Sequence, residues 1–130
     1  MREDRTQKWK SVCYVAGPYR AASEYLVKQN IRKAEDVTIQ LWAAGFVPIC
    51  PHMNTAFFGG AYGLPDEVWL EGDLEIIKRC DFVVVIPGWR TSQGTLHEIE
   101  VAKQAGLHVY YWDNEEDQRF LKNYYSEWKV

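Results

Sequence analysis

An α/β three-layer sandwich, flavodoxin-like or Rossmann-like with a four- or five-stranded parallel sheet, is the fold class that this 130-residue sequence predicts. Two observations carry the prediction. Short β-branched runs alternate with amphipathic helical stretches, and repeated right-handed βαβ units close into a parallel sheet covered by helices. Residues 82–86 (FVVVI) are also apolar at every position, as a strand covered on both faces must be.

The first strand is expected over residues 11–16 (SVCYVA), a β-branched run closed by Gly17-Pro18. Val27, Ile31, Ala34, Thr38, Leu41 and Trp42 then recur at helical spacing with Gly45 as the stop, which predicts an amphipathic helix. Residues 46–50 form a second apolar run, and Pro48 inside it removes a ladder donor, so this strand belongs at an edge. Residues 52–64 hold three glycines with Phe57, Phe58 and Tyr62 and no period; they read as a long, mobile loop of the kind that acts as a lid. Pro65 can open a helix whose start Asp66 and Glu67 favour, with Val68, Trp69, Ile76, Ile77 and Cys80 on its buried side. Residues 82–86 are the central strand, 87–94 a loop, 95–105 a helix stopped by Gly106, and 108–112 a fourth strand; a terminal helix starts near Asp117.

The length suits one core, so residues 11–130 are expected to form a single domain behind a polar lead-in, residues 1–10, that is disordered or extended and has no apolar signal region. Hydrophobic residues make up 47% and charged residues 25%, and no run nears the roughly 20 apolar residues of a membrane span. A cytoplasmic protein without a membrane partner is expected. Cys13, Cys50 and Cys80 are odd in number and lack CxxC spacing, so they read as core thiols. A net charge of −3 with scattered basic residues excludes the footprint of a protein that binds nucleic-acid polymers. Six tryptophans and eight tyrosines suit either a subunit interface or a pocket for a flat ring.

In open α/β sheets, ligands bind outside the carboxyl ends of the strands where strand order reverses, which selects loops 17–23, 51–64 and 87–94. Asp73 places a carboxylate on an otherwise apolar helix side, as a loop-bonding group or as a positioned acid. Glu98 falls in the first turn of the third helix on its inward stripe, where a helix N-terminus favours the ionised form needed for nucleophilic attack. Thr95-x-x-Glu98 equally matches a capping box, and spacing alone does not choose between the two. The loop before that helix offers Ser92, Gly94 and free N–H groups to an anion or to sugar hydroxyls, with Trp89 able to stack on a base. Gly17 and Arg20 form a second possible anion site, the alternative being a solvated arginine. GxxxxGK[ST] and GxGxxG are both absent, which counts against ATP hydrolysis and dinucleotide redox chemistry. His52, His97 and His108 are too dispersed for a metal set, so neither metal nor cofactor is expected. His108 reads as a partly buried strand residue, and His52 as structural or within reach of a ligand.

Tyr14-Val-Ala-Gly17-Pro-Tyr-Arg20, Asp73-Leu, Asp81 before a hydrophobic strand, and Ser92-Gln-Gly94-Thr-Leu-His-Glu98 with Ala102 resemble, in order and spacing, the nucleoside 2-deoxyribosyltransferase superfamily. That superfamily includes 2'-deoxynucleoside 5'-monophosphate N-glycosidases and small phage and bacterial relatives, and the resemblance spans about residues 11–111. It implies Glu98 as the nucleophile, Asp73 as the acid engaging base or sugar, and Tyr14 as a residue near the nucleophile. Ser92 stands where the transferase branch carries a second aspartate and the nucleotide hydrolases a phosphate-binding serine, and Arg20 matches the hydrolases' phosphate arginine. Pro18 departs from them, replacing a phosphate-binding serine. The resemblance therefore implies cleavage of the N-glycosidic bond of a nucleoside 5'-monophosphate or nucleoside through a glycosyl-Glu98 intermediate, with water as the acceptor. Base exchange, an inactive nucleotide-binding module and an interaction protein using the exposed aromatics are the alternatives. A homodimer or larger homo-oligomer is the implied assembly, with Tyr124, Tyr125 and Trp128 suited to the contact.

Overall fold

The computed structural model describes residues 10–124, so the lead-in up to residue 9 and the aromatic positions Tyr125 and Trp128 lie outside the described residues. The elements are β1 (Val12–Ala16), α1 (Glu24–Ala43), β2 (Val47–Ile49), α2 (Pro51–Asn54), α3 (Glu67–Lys78), β3 (Phe82–Val85), α4 (Gln93–Gln104), β4 (His108–Tyr111) and α5 (Glu115–Lys122). The four strands are all parallel, in the order β2-β1-β3-β4. This is the start of the flavodoxin-like order, and the chain reverses direction across the sheet between β1 and β3. The expected sandwich is the one found, with four strands among the described residues.

Alternation along β1 sends neighbouring side chains to opposite faces. Cys13 and Val15 join Ala34, Val37, Leu41, Phe46, Val84, Ile86 and Leu121 beneath α1 and α5, while Tyr14 and Ala16 join Ile77, Val83, Val85, Ile99 and Ala102 beneath α3 and α4. Each fully buried aliphatic side chain contributes about 1.5–3 kcal/mol by leaving water. β3 is buried along its whole length, as its unbroken apolar run requires. β2 is the edge strand that Pro48 foretold. Val47 donates its N–H inward to the Ser11 carbonyl, 2.9 Å away, so the next residue's nitrogen faces away from β1, where a missing hydrogen breaks nothing. All three cysteines are buried, and none forms a disulfide among the described residues.

Several boundaries differ from expectation for local reasons. Residues 52–64 are not loop throughout. Pro51 opens the four-residue helix α2, its missing N–H being harmless in a first turn, and Ala61–Gly63 make a 3-10 turn. Trp42, expected on the inward side of α1, is exposed, whereas Val37 is buried. α3 begins at Glu67, later than Pro65, and α5 at Glu115, where the Asn114 side chain accepts from the Asp117 N–H. His108 is exposed at the start of β4 and packs its ring against Tyr110. Among the described residues no helix is long and apolar enough to cross a membrane.

Candidate active site

Tyr14, Glu98 and Asp73 lie beneath α3 and α4 near the β1/β3 reversal, within electrostatic reach of one another. The Tyr14 hydroxyl, on a fully buried side chain, donates to Glu98 Oε2 at 2.6 Å. Glu98 hangs from α4, which follows β3, and Asp73 from α3, where it is buried among apolar neighbours. Burial pushes the Glu98 carboxyl up to about 7; the Tyr14 hydrogen bond pulls it down and the charge of Asp73 pushes it up again. Burial likewise raises Asp73 to about 6. The Tyr14 phenol is held far above its ordinary range by burial and by both carboxylates, so it remains a proton donor at any working pH. Two carboxyls titrating close to neutrality with a fixed donor on one of them form a set suited to nucleophilic and acid–base work.

Helix α4 begins at Gln93, two residues before the expected start. Ser92 is the cap, its Oγ accepting from the Thr95 N–H at 3.2 Å and from the Thr95 hydroxyl at 2.8 Å. Glu98 therefore occupies the second turn, beyond reach of the terminal N–H groups, and the Thr95–Glu98 capping box does not form. Its carboxylate is directed at Tyr14 instead of at its own backbone. The Ser92 acceptor lone pairs are committed to the cap, which leaves its O–H free to donate. A Cβ added at Gly94 would meet open space, so the first turn of α4 is open at that residue.

The other sequence-selected residues divide into structural and exposed groups. Gly17 is favoured by packing, since a Cβ there would collide with the Ile86 side chain. His52 is buried, and its ring Nε2 lies 2.7 Å from the Pro18 carbonyl, a contact that fixes the proton on Nε2. Burial lowers its pKa, favouring the neutral ring, and Nδ1 has no hydrogen-bond partner among the described residues. Trp89 packs against Tyr111, lies under the Arg90 guanidinium at 4.4 Å, and buries its indole N–H, which has no hydrogen-bond partner among the described residues. Much of its ring is therefore covered by protein. Arg20 is exposed and bonds Asp66 at 2.7 Å. Sequence reasoning passed over Asp66 as a helix-start residue and gave Tyr19 no role, yet the Tyr19 hydroxyl accepts from the Phe57 N–H at 2.9 Å. Only chain folding joins these partners, which are 46 and 38 residues apart. Asp81 is structural, accepting from the Val12 N–H at 2.7 Å. Among the described residues no cluster of His, Cys, Asp and Glu is placed to hold a metal ion.

Residues 11–112 match the family model described as "Domain of unknown function (DUF7768)". No curated protein matches the chain in sequence. Among solved structures, the 2-deoxyribosyltransferase of Bacillus psychrosaccharolyticus superposes with a TM-score of 0.59 at 21% identity, over 92% of this chain and 97% of that one. The CMP N-glycosidase BcmB of Clostridium botulinum superposes with a TM-score of 0.52, also at 21% identity, over 77% of this chain and 69% of that one. The chain thus has the fold of these nucleoside 2-deoxyribosyltransferase-like proteins, and it belongs to the family described as Domain of unknown function (DUF7768).

Proposed function

We propose that the protein cleaves the N-glycosidic bond of a nucleoside 5'-monophosphate by a retaining, hydrolytic mechanism. The observation that carries this reading is the Tyr14–Glu98 hydrogen bond next to buried Asp73, at the carboxyl side of the β1/β3 reversal. Glu98 attacks C1' as the base departs through an oxocarbenium-like state; water then hydrolyses the glycosyl ester, restoring the original configuration. Tyr14 orients the attacking oxygen and supports its charge. Asp73 delivers the proton that the departing base requires. Arg20, the Ser92 hydroxyl and the first turn of α4 at Gly94 hold the phosphate. Gly17 and His52 shape the loop beside it, and Trp89 walls the base side.

The reactive form has Glu98 ionised and one proton on Asp73. With Asp73 titrating at about 6 and Glu98 at about 7, the singly protonated pair is most populated between those values, and the reactive arrangement is its minor form because Glu98 holds a proton more tightly than Asp73. A bell-shaped kcat/KM profile with limbs near them is expected.

The test is chromatography of free base released from nucleosides and their 5'-monophosphates by wild type and Glu98→Ala. Release by wild type alone, greater from monophosphates, is the expected result; no release from any substrate would favour a nucleotide-binding module. Base exchange is the second reading, favoured by the fuller overlap with the 2-deoxyribosyltransferase, and adding an acceptor base separates it from hydrolysis. A cytoplasmic homodimer or larger homo-oligomer completes the proposal, and light scattering on the purified chain checks the assembly.

A further inference from the structure

We propose that Asp66 is a specificity-determining residue that competes with the substrate phosphate for Arg20. This rests on the reading of Arg20 as the phosphate ligand of the nucleotide site. Asp66 immediately precedes α3 and is of the type that usually caps a helix, yet its side chain makes no cap hydrogen bond. Its Oδ2 lies instead 2.7 Å from Arg20 Nη2, across 46 residues of sequence. The backbone beside Arg20 is held independently, by Asn30 Nδ2 donating to the Tyr19 carbonyl at 3.1 Å and by the His52 contact to Pro18. Only the guanidinium is thus committed to Asp66. Both partners are exposed, at 70% and 41%, so the pair is weak and readily exchanged. A phosphate monoester carries up to two negative charges and binds a guanidinium more strongly than a carboxylate does. To reach Arg20 it must displace Asp66, whose charge then remains nearby and repels it. The carboxylate therefore lowers affinity for phosphorylated ligands while leaving unphosphorylated ones untouched.

Calorimetric titration of ribose 5-phosphate and of ribose, at low ionic strength, into wild type, Asp66→Asn and Asp66→Asn/Arg20→Gln tests this directly. These probes lack a base, so the unknown base preference does not enter. Asp66→Asn is expected to bind ribose 5-phosphate about threefold to tenfold more tightly than wild type, with no gain for ribose and with the gain abolished in the double variant. Unchanged or weaker binding, absence of binding, or a gain that survives loss of Arg20 overturns the proposal. Base release is scored separately. A phosphate gain without any glycosidase activity sinks the catalytic reading and leaves Asp66 as an anion gate, whereas an active enzyme without the gain sinks the gate alone.

Discussion

On the α1/α5 side of the sheet, β1 presents Cys13 and Val15 to a core of aliphatic and aromatic side chains. One residue over, on the α3/α4 side, it presents Tyr14, whose hydroxyl ends on Glu98 with Asp73 buried near it. A five-residue strand thus divides the labour, one face supplying hydrocarbon burial and the other holding carboxyls away from water at an energetic disadvantage. Slipping its register by one residue would exchange the two faces, which is why the strand pairings must be firmly set. The first face should therefore govern folding and the second chemistry, with little crossover.

Glu98→Gln should separate them most sharply. Base release is expected to fall on the order of 10³-fold or more, as for a lost nucleophile. Stability should move the other way. The folded-state carboxyl lies near 7 against an ordinary 4.5, so it contributes stability that is complete below about pH 4.5 and lost as pH rises through about 7. Glutamine has no such loss. In urea titrations the variant should therefore gain about 3 kcal/mol relative to wild type between pH 4.5 and pH 8. A pH-independent difference would show that the carboxylate is not desolvated.

On the opposite face, Leu41→Ala removes a fully buried side chain of α1 and should cost about 2–5 kcal/mol. The activity of the molecules that remain folded should change less than about twofold on the usual scale of distant sites; a large fall in kcat would break the division between faces. Asp73→Asn should lower kcat/KM at the optimum about 10²-fold and abolish the alkaline limb of the profile, leaving only a rise as Glu98 ionises. If the alkaline limb persists, the proton belongs to another group. Gly17→Ala adds a methyl against Ile86, which bridges loop and core, and should cost about 1–3 kcal/mol in thermal unfolding. A neutral result would mean that Ile86 simply turns aside.

What the sequence disclosed depended on the range over which each residue acts. The βαβ alternation, the central position of the all-apolar strand and the edge position of the Pro48 strand were legible because each follows from a period or a missing donor within a few residues. The inward direction of Glu98 was legible from the helical period it shares with Ala102. Its turn was not, because Ser92 and Thr95 compete for the same cap and the serine holds it. Helix α2 was invisible because four residues cannot show a 3.6-residue period. The Tyr14–Glu98 bond came only with the family resemblance, and the Arg20–Asp66 pair not at all; both join residues that the sheet order, not local propensity, brings together.

The outward-facing nitrogen at the middle of β2 also governs how this chain meets copies of itself. An incoming strand that tried to extend the sheet beside β2 would find only the proline ring where the central residue should offer an N–H, and with three residues available it could not skip that rung. Growth by edge-to-edge stacking on this side is therefore blocked at its first step, a built-in safeguard against fibre formation in a chain whose neighbouring strands are so strongly β-favouring.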